Sequence, residues 1–286
     1  MESKPPCWAS VNGTITPFEE ALIPLNNRGT LFGEAVFTTL LVRGAKPVFW
    51  QDHLNRLEHS RRRLNWDPEF PNFVEEWTQQ LLLHCAEREP LSSKNLKIYQ
   101  TIQGAQTLKS HGSGLLTILL CQRYDEVFND SGLILEMKPE PRDSLRKQLK
   151  LPFYLDVYLK WQNRKAGSHE VLFFDESKKI TETTTSNFFL VSPDLKTIYQ
   201  SESCFEGISQ RRLLEALQSL GGGTIHTKLE YNPKLQSMCG FTISCLSGPV
   251  PVRQVGRYSL RFDKTVSERV RNVWNAITVQ NQKEFP

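Results

Sequence analysis

The chain opens on an alternation of polar and apolar residues, "WASVNGTITPFEEALIPL", broken at Asn12-Gly13. A period of two marks a half-buried strand, and Asn-Gly is a strong two-residue hairpin signal, so this stretch predicts extended chain folded back at Asn12. A second hairpin follows at "AVFTTLLVRGAKPVFW", where Val36, Thr38, Leu40 and Val42 share a face and Arg43-Gly44 offers the turn. Near residue 50 the period changes. In "WQDHLNRLEHSRRRLNW", Leu54, Leu57 and Leu64 fall near one helical stripe, with Asp52 placed as N-cap. Residues 71–87 read as a second helix, with Pro71 in its first turn. Strands return at "NLKIYQTIQG", "GLLTILLCQ" and "GLILEMKPE". The polar run "RYDEVFNDS" before the last of them marks a domain boundary near residue 125.

Beyond that boundary, "PFYLDVYLKWQNRKAG" predicts a helix ended by Gly167, and "EVLFFD" a buried strand. "ESKK" reads as a turn and "ITETTTSNFFLV" as the partner strand. "ISQRRLLEALQSLGGG" is a helix with a glycine stop. "FTISCLSGPVPV" is a strand expected to break at Pro249 and Pro251, and "KTVSERVRNVWNAIT" is a closing helix. Strands come in runs instead of alternating strictly with helices. That order fits an α+β chain of two domains with mainly antiparallel sheets better than a doubly wound sheet. The domains predicted are a smaller N-terminal one, residues 1–124, and a larger C-terminal one, residues 125–286.

Composition narrows the class. The chain has 286 residues, 39% apolar and 23% charged, ordinary for a soluble protein with a sizeable core. A net charge of +4 is too small to make nucleic acid the main partner, and Arg61, Arg62 and Arg63 read as a solvated helix face. The six cysteines form no CxxC pair and no metal-ligand spacing, which suits a reduced cytosolic protein. The N-terminus shows no signal-peptide core, and no apolar run is long enough to span a bilayer. The expected location is cytoplasmic, with no membrane partner and no metal.

Four features could carry chemistry, and each has a plain alternative. Glu182 is followed by four hydroxyl residues, Thr183 to Ser186, and could meet a buried cationic nitrogen; a solvated acid explains it equally. Lys150 sits before a predicted helix, where a partly desolvated amine could act as a nucleophile; alone it reads as surface decoration beside Lys147. Arg56, in the first turns of a helix, could grip a phosphate through two parallel bonds or simply face solvent. Gly207, Ile208 and Ser209 open a helix whose free N–H groups could hold an anion, although capping also explains the serine.

Taken in order, "FGEAVFTTLLVRGAKPVFWQDHLNRL", Lys150, "ITETTTSNFF" and "EGISQRR" resemble the class IV aminotransferase family over most of the chain, from Val11 to about Val252. That group includes D-amino acid and branched-chain aminotransferases and aminodeoxychorismate lyase. The resemblance implies a fold-type IV pyridoxal 5′-phosphate enzyme, a homodimer, with its active site between the two domains. Lys150, carried by the C-terminal domain, would join the cofactor aldehyde and then move the substrate proton. Glu182 would pair with the pyridine nitrogen, and the hydroxyl row would line the strand beside the cofactor. Arg56 and the Ile208 and Ser209 amides would bind the phosphate.

The chain also departs from the family pattern. Asn27 replaces an acid in "NNRG" and reads as structural. Cys245 falls nearest a phosphate-binding threonine position, with Ser244 beside it as the candidate contact. Gln103-Gly104 replaces an Arg-Gly pair, and Lys109, assisted by His111, could substitute for a carboxylate-gripping arginine or face solvent. Tyr154 is a candidate donor to the cofactor's phenolic oxygen. "VFTT" is similar to the lyase branch, where the Thr38 hydroxyl would assist proton transfer; a β-branched packing residue is the alternative. The implied reaction is conversion of 4-amino-4-deoxychorismate to 4-aminobenzoate and pyruvate, in folate synthesis. The alternatives are a transaminase of D- or branched-chain amino acids and a non-catalytic relative that keeps the fold.

Overall fold

The computed structural model describes residues 7–67, 72–90, 92–104, 107, 109, 112–126, 130–140, 149–151, 158–162, 167–202, 204–221, 223–226 and 229–284. The expectations for Pro71, His111 and Tyr154, and for most of the helix from Pro152, lie outside these residues. Contacts divide the chain into two compact units. The first comprises Met1–Glu126, Leu149–Pro152 and Asn281–Pro286, and the second comprises Val127–Gln148 and Phe153–Gln280. A cut at one point of the chain therefore misplaces Lys150. The Phe37 N–H donates to the Lys150 carbonyl at 3.0 Å, and this bond ties the lysine's segment to the first unit.

The first unit is built on strands β1 (Cys7–Val11), β2 (Thr14–Pro17), β3 (Ala35–Arg43), β4 (Lys46–Pro47), β5 (Ser93–Gln103) and β6 (Gly114–Arg123). They form one antiparallel sheet in the order β2-β1-β6-β5-β3-β4. The first hairpin turns at Asn12-Gly13, both at positive φ, with Val11 opposite Thr14. The second turns one residue later than predicted: Arg43 pairs with Lys46, so Gly44-Ala45 is the turn. Helix α1 (Arg28–Phe32) precedes β3, while α2 (Trp50–Arg63) and α3 (Val74–Arg88) lie between β4 and β5 in the chain. Helix α2 begins earlier than Asp52 predicts. Phe49, buried and at φ 56, takes the N-cap position, and Asp52 sits in the first turn, where its charge suits the positive helix end.

Alternation decides what each strand buries. Val36, Leu40 and Val42 of β3 and Leu96, Ile98 and Ile102 of β5 pack with Trp50 and Leu57 of α2 and Leu81 and Leu82 of α3. Each such side chain contributes about 1.5–3 kcal/mol on burial. The intervening residues Phe37, Thr39, Lys97 and Tyr99 are half-buried and point to the other face.

The second unit contains β7 (Leu133–Pro139), β8 (Glu170–Phe174), β9 (Ile180–Thr183), β10 (Asn187–Val191), β11 (Thr197–Gln200), β12 (Thr224–His226), β13 (Cys239–Ser244), β14 (Gly248–Val255) and β15 (Tyr258–Ser259). The order is β12-β11-β10-β13-β14-β7-β8-β9, and β9 also pairs with β10, which closes six strands into a ring. Most pairs are antiparallel; β11–β12, β14–β7 and β7–β8 are parallel. Helices α4 (Ile208–Ser219) and α5 (Lys264–Gln280) complete the unit. The prolines do not break β14, contrary to expectation. Pro249 and Pro251 stand opposite Ile243 and Phe241, and β7 joins the other edge only from Val252. A missing N–H is tolerated where it faces no ladder partner.

No described helix is long and apolar enough to cross a membrane, and the six cysteines are free thiols.

Candidate active site

Glu182 lies near the end of β9 and is 5% exposed. Asn187, at the start of β10, is its cross-strand partner. The Phe205 N–H donates to Glu182 Oε1 at 2.9 Å, and Asn187 Nδ2 donates to Oε2 at 3.4 Å and to the Phe205 carbonyl at 2.7 Å. The carboxylate is thus held at the seam of the strand ring. Gly207 lies two residues beyond Phe205, and a Cβ there would lie 1.7 Å from Asn187 Oδ1, so only glycine allows this approach. Gly207 is the N-cap of α4, and no side chain caps the helix. Ile208 and Ser209, both buried, therefore present the first N–H groups of a positive helix end. An acid fixed by N–H donors beside an uncapped helix start fits a ligand with a cationic ring nitrogen and an anionic group.

The hydroxyl row does other work than expected. Thr183 closes its own turn: its Oγ1 donates to the Ser186 carbonyl at 2.8 Å and accepts from the Ser186 N–H at 2.9 Å. Thr184 Oγ1 donates to Glu170 Oε1 at 2.7 Å. Lys160 Nζ lies 2.7 Å from Glu170 Oε2 and 2.9 Å from Thr185 Oγ1. Glu170 is a second buried acid, and it, not Glu182, gathers these hydroxyls. A cavity of about 580 Å³ opens beside Lys160 and Glu170, lined also by Ser186 and Thr242. Ser244 ends β13 just before the β13–β14 turn, its hydroxyl 2.8 Å from that of Ser247.

In the first unit, Lys150 Nζ stands 5.3 Å from the centre of the Phe37 ring. Arg56 is half-buried on α2, one turn beyond His53. Thr38 is fully buried and turned toward α2, where its Oγ1 lies 2.6 Å from His53 Nδ1. It does not share the face of Phe37, because adjacent strand residues point oppositely. Burial, then the charges of Arg56 and Lys150, hold the His53 imidazole well below the ordinary histidine range. Gln103 ends β5, with Oε1 accepting from Asn12 Nδ2 at 3.4 Å, and Lys109 is exposed in a turn. Asn27 has the structural role expected: its Oδ1 accepts from the Thr30 N–H at 2.8 Å to cap α1, while Nδ2 donates to Thr30 Oγ1 at 2.9 Å. Nδ2 also donates to the Pro24 carbonyl at 2.5 Å, which an acid could not do.

Sequence reasoning missed His53, Glu170, Lys160 and Asn187. His53 precedes Arg56 by three residues, a helical neighbour spacing that could have drawn attention to it. Glu170 opens a strand and carries no local mark.

Residues 35–255 match the family model for amino-transferase class IV. The chain belongs to the class IV aminotransferases. Membership makes it an enzyme with pyridoxal 5′-phosphate as cofactor. A protein of Synechocystis sp., provisionally assigned as a branched-chain-amino-acid aminotransferase, is 20% identical over 142 residues, which cover 49% of this chain and 47% of that protein. The matched stretch is thus about half the length of that relative. Among solved structures, one from Legionella pneumophila, provisionally assigned as a 4-amino-4-deoxychorismate lyase, has a TM-score of 0.77 at 21% identity, covering 91% of this chain and 97% of the other. A branched-chain aminotransferase from Thermoproteus uzoniensis has a TM-score of 0.80 at 15% identity, covering 97% of each chain. A hypothetical aminotransferase from Mycobacterium tuberculosis in its pyridoxal-phosphate-bound form has a TM-score of 0.78 at 17% identity, covering 96% and 99%. At these identities the likeness is one of fold.

Proposed function

We propose that the chain acts on the amino group of a small carboxylate substrate, and that its reaction is lysis of 4-amino-4-deoxychorismate to 4-aminobenzoate and pyruvate. The observation that carries the cofactor part of this reading is the buried Glu182 carboxylate, fixed by two N–H donors next to the uncapped start of α4. In this reading Glu182 holds the proton on the pyridine nitrogen. Ile208 and Ser209 would present their amides to the phosphate, Arg56 would add its guanidinium, and Ser244 is the further candidate contact. Lys150 would hold the cofactor through its amine, and once the substrate's amino group has freed it, its Nζ would take the proton from the substrate carbon bearing nitrogen. When bound, pyridoxal phosphate supplies the electron sink for that step. Thr38 keeps a supporting place through His53. The likeness to the Legionella protein favours the lyase; the likeness to the Thermoproteus enzyme favours transamination as the second reading.

One spectroscopic series tests both parts. Purified protein should show a visible cofactor band, and Lys150→Ala should remove it while the far-ultraviolet circular dichroism stays unchanged. A band that survives the substitution overturns the role of Lys150. Pyruvate released from aminodeoxychorismate without a keto-acid acceptor supports the lyase. Bleaching of the band by an amino donor alone supports the transaminase.

A further inference from the structure

The face of the first unit's sheet turned away from α2 and α3 carries a second amine. On β3 and β5, Phe37 stands opposite Tyr99 and Thr39 opposite Lys97. Lys97 Nζ lies 4.7 Å from the centre of the Phe37 ring, the same ring that Lys150 Nζ approaches at 5.3 Å. Two ammonium groups thus share one aromatic ring, and their separation cannot exceed the sum of those two distances.

Lys97 differs from the neighbouring lysine of its own strand. Lys94 is buried, and its Nζ donates to the carbonyls of Gly44, Glu89 and Ser92. Lys97 makes no hydrogen bond and no ion pair among the described residues, and burial pulls its pKa below the ordinary lysine value. The ring offers it about 0.5–2 kcal/mol of cation–π attraction, which does not replace a lost hydration shell. An amine placed this way, half-buried and with no ion-pair partner among the described residues, leaves a place for an anion from outside. A single ammonium is a point charge that matches one carboxylate, and Phe37 and Tyr99 around it suit an apolar or unsaturated carbon skeleton.

We propose that Lys97 receives a carboxylate of the substrate whose amino group reacts at the Lys150 end of the same face. The substrate class is an amino acid, or an amine bearing a carboxylate, short enough to reach from one lysine to the other. The proposal rests on the reading of Lys150 as the cofactor amine. It gives Lys97 the task considered above for the exposed Lys109.

Competitive acetylation of the cofactor-loaded enzyme, read by peptide mass spectrometry, tests it without requiring turnover. Lys97 should be acetylated faster than exposed Lys46 at pH 8, and 4-aminobenzoate or glutarate should protect it at least fivefold. With whichever amino substrate turns over, Lys97→Met should raise KM at least tenfold, change kcat less than threefold and leave the visible band intact. Lys97→Arg should recover most of the KM. A Lys97 that neither carboxylate protects, together with an unchanged KM in Lys97→Met, overturns the proposal while the band shows that the cofactor reading stands. A band that survives Lys150→Ala removes the cofactor reading and this proposal with it.

Discussion

A carboxylate almost without solvent contact needs partners, and Glu182 finds them in the Phe205 N–H and the Asn187 amide. Replacing it by glutamine keeps the shape and removes the charge. Glu182→Gln should therefore retain cofactor and fold but lower kcat by about 10²–10³-fold, because a preorganised charge aimed at the reacting system is worth about 3–4 kcal/mol. Wild-type turnover in the variant would remove the residue from the chemistry; single-turnover kinetics decides it. Some of this site could be read from sequence. Glu182 near a strand-to-strand turn and Ile208 and Ser209 at a helix start follow from local pattern alone. Glu170, Lys160 and Lys97 do not. Their environments are set by strands and turns distant in the chain, such as β3 against β5, and no local spacing announces them.

Elements were legible wherever a period ran long enough, as in β5, β6, α4 and α5, and misjudged at their ends. Phe49 takes a left-handed backbone that aromatic residues rarely adopt, because its ring is buried, and it starts α2 ahead of the acid that looked like the cap. Pro249 and Pro251 looked like breakers because a sequence does not show which N–H groups face a neighbour. Asn27 shows the opposite case, a cap whose purpose the sequence did suggest. It serves a five-residue helix with little propensity of its own. Asn27→Ala should cost about 1–2 kcal/mol, seen as a lower urea midpoint with unchanged slope. Asn27→Asp should recover the Thr30 N–H bond but not the donation to the Pro24 carbonyl, and should fall between the two.

At the scale of the whole molecule, pH is the sharpest probe. His53 is held neutral by burial and by Arg56 and Lys150, while Thr38 is its hydrogen-bonding neighbour. A histidine lowered below 6.5 in the fold takes up its proton more readily when unfolded, so stability is full above that pH and falls as the pH drops below it. The loss should grow with each further drop in pH until the imidazole takes up its proton in the fold as well. His53→Gln should flatten this part of the profile, followed by fluorescence of Trp50 and Trp66 on thermal unfolding. Glu126 acts in a lower window: burial raises its pKa, but the bonds from Arg43 and Ser93 outweigh this and bring it below 4.5, so its contribution disappears only in stronger acid. The two windows separate the histidine from the carboxylates, and a variant profile parallel to that of the wild type would refute the role of His53.

The strand ring has one further consequence. Its last join, β9 to β10, consists among the described residues of the single pair Asn187 and Glu182. The two residues that close the ring by their backbones also meet through their side chains, Asn187 Nδ2 donating to Glu182 Oε2 at 3.4 Å. Loosening that closure should therefore also disturb the setting of the Glu182 carboxylate, so the strength of the seam and the placement of the buried acid are coupled in this half of the protein.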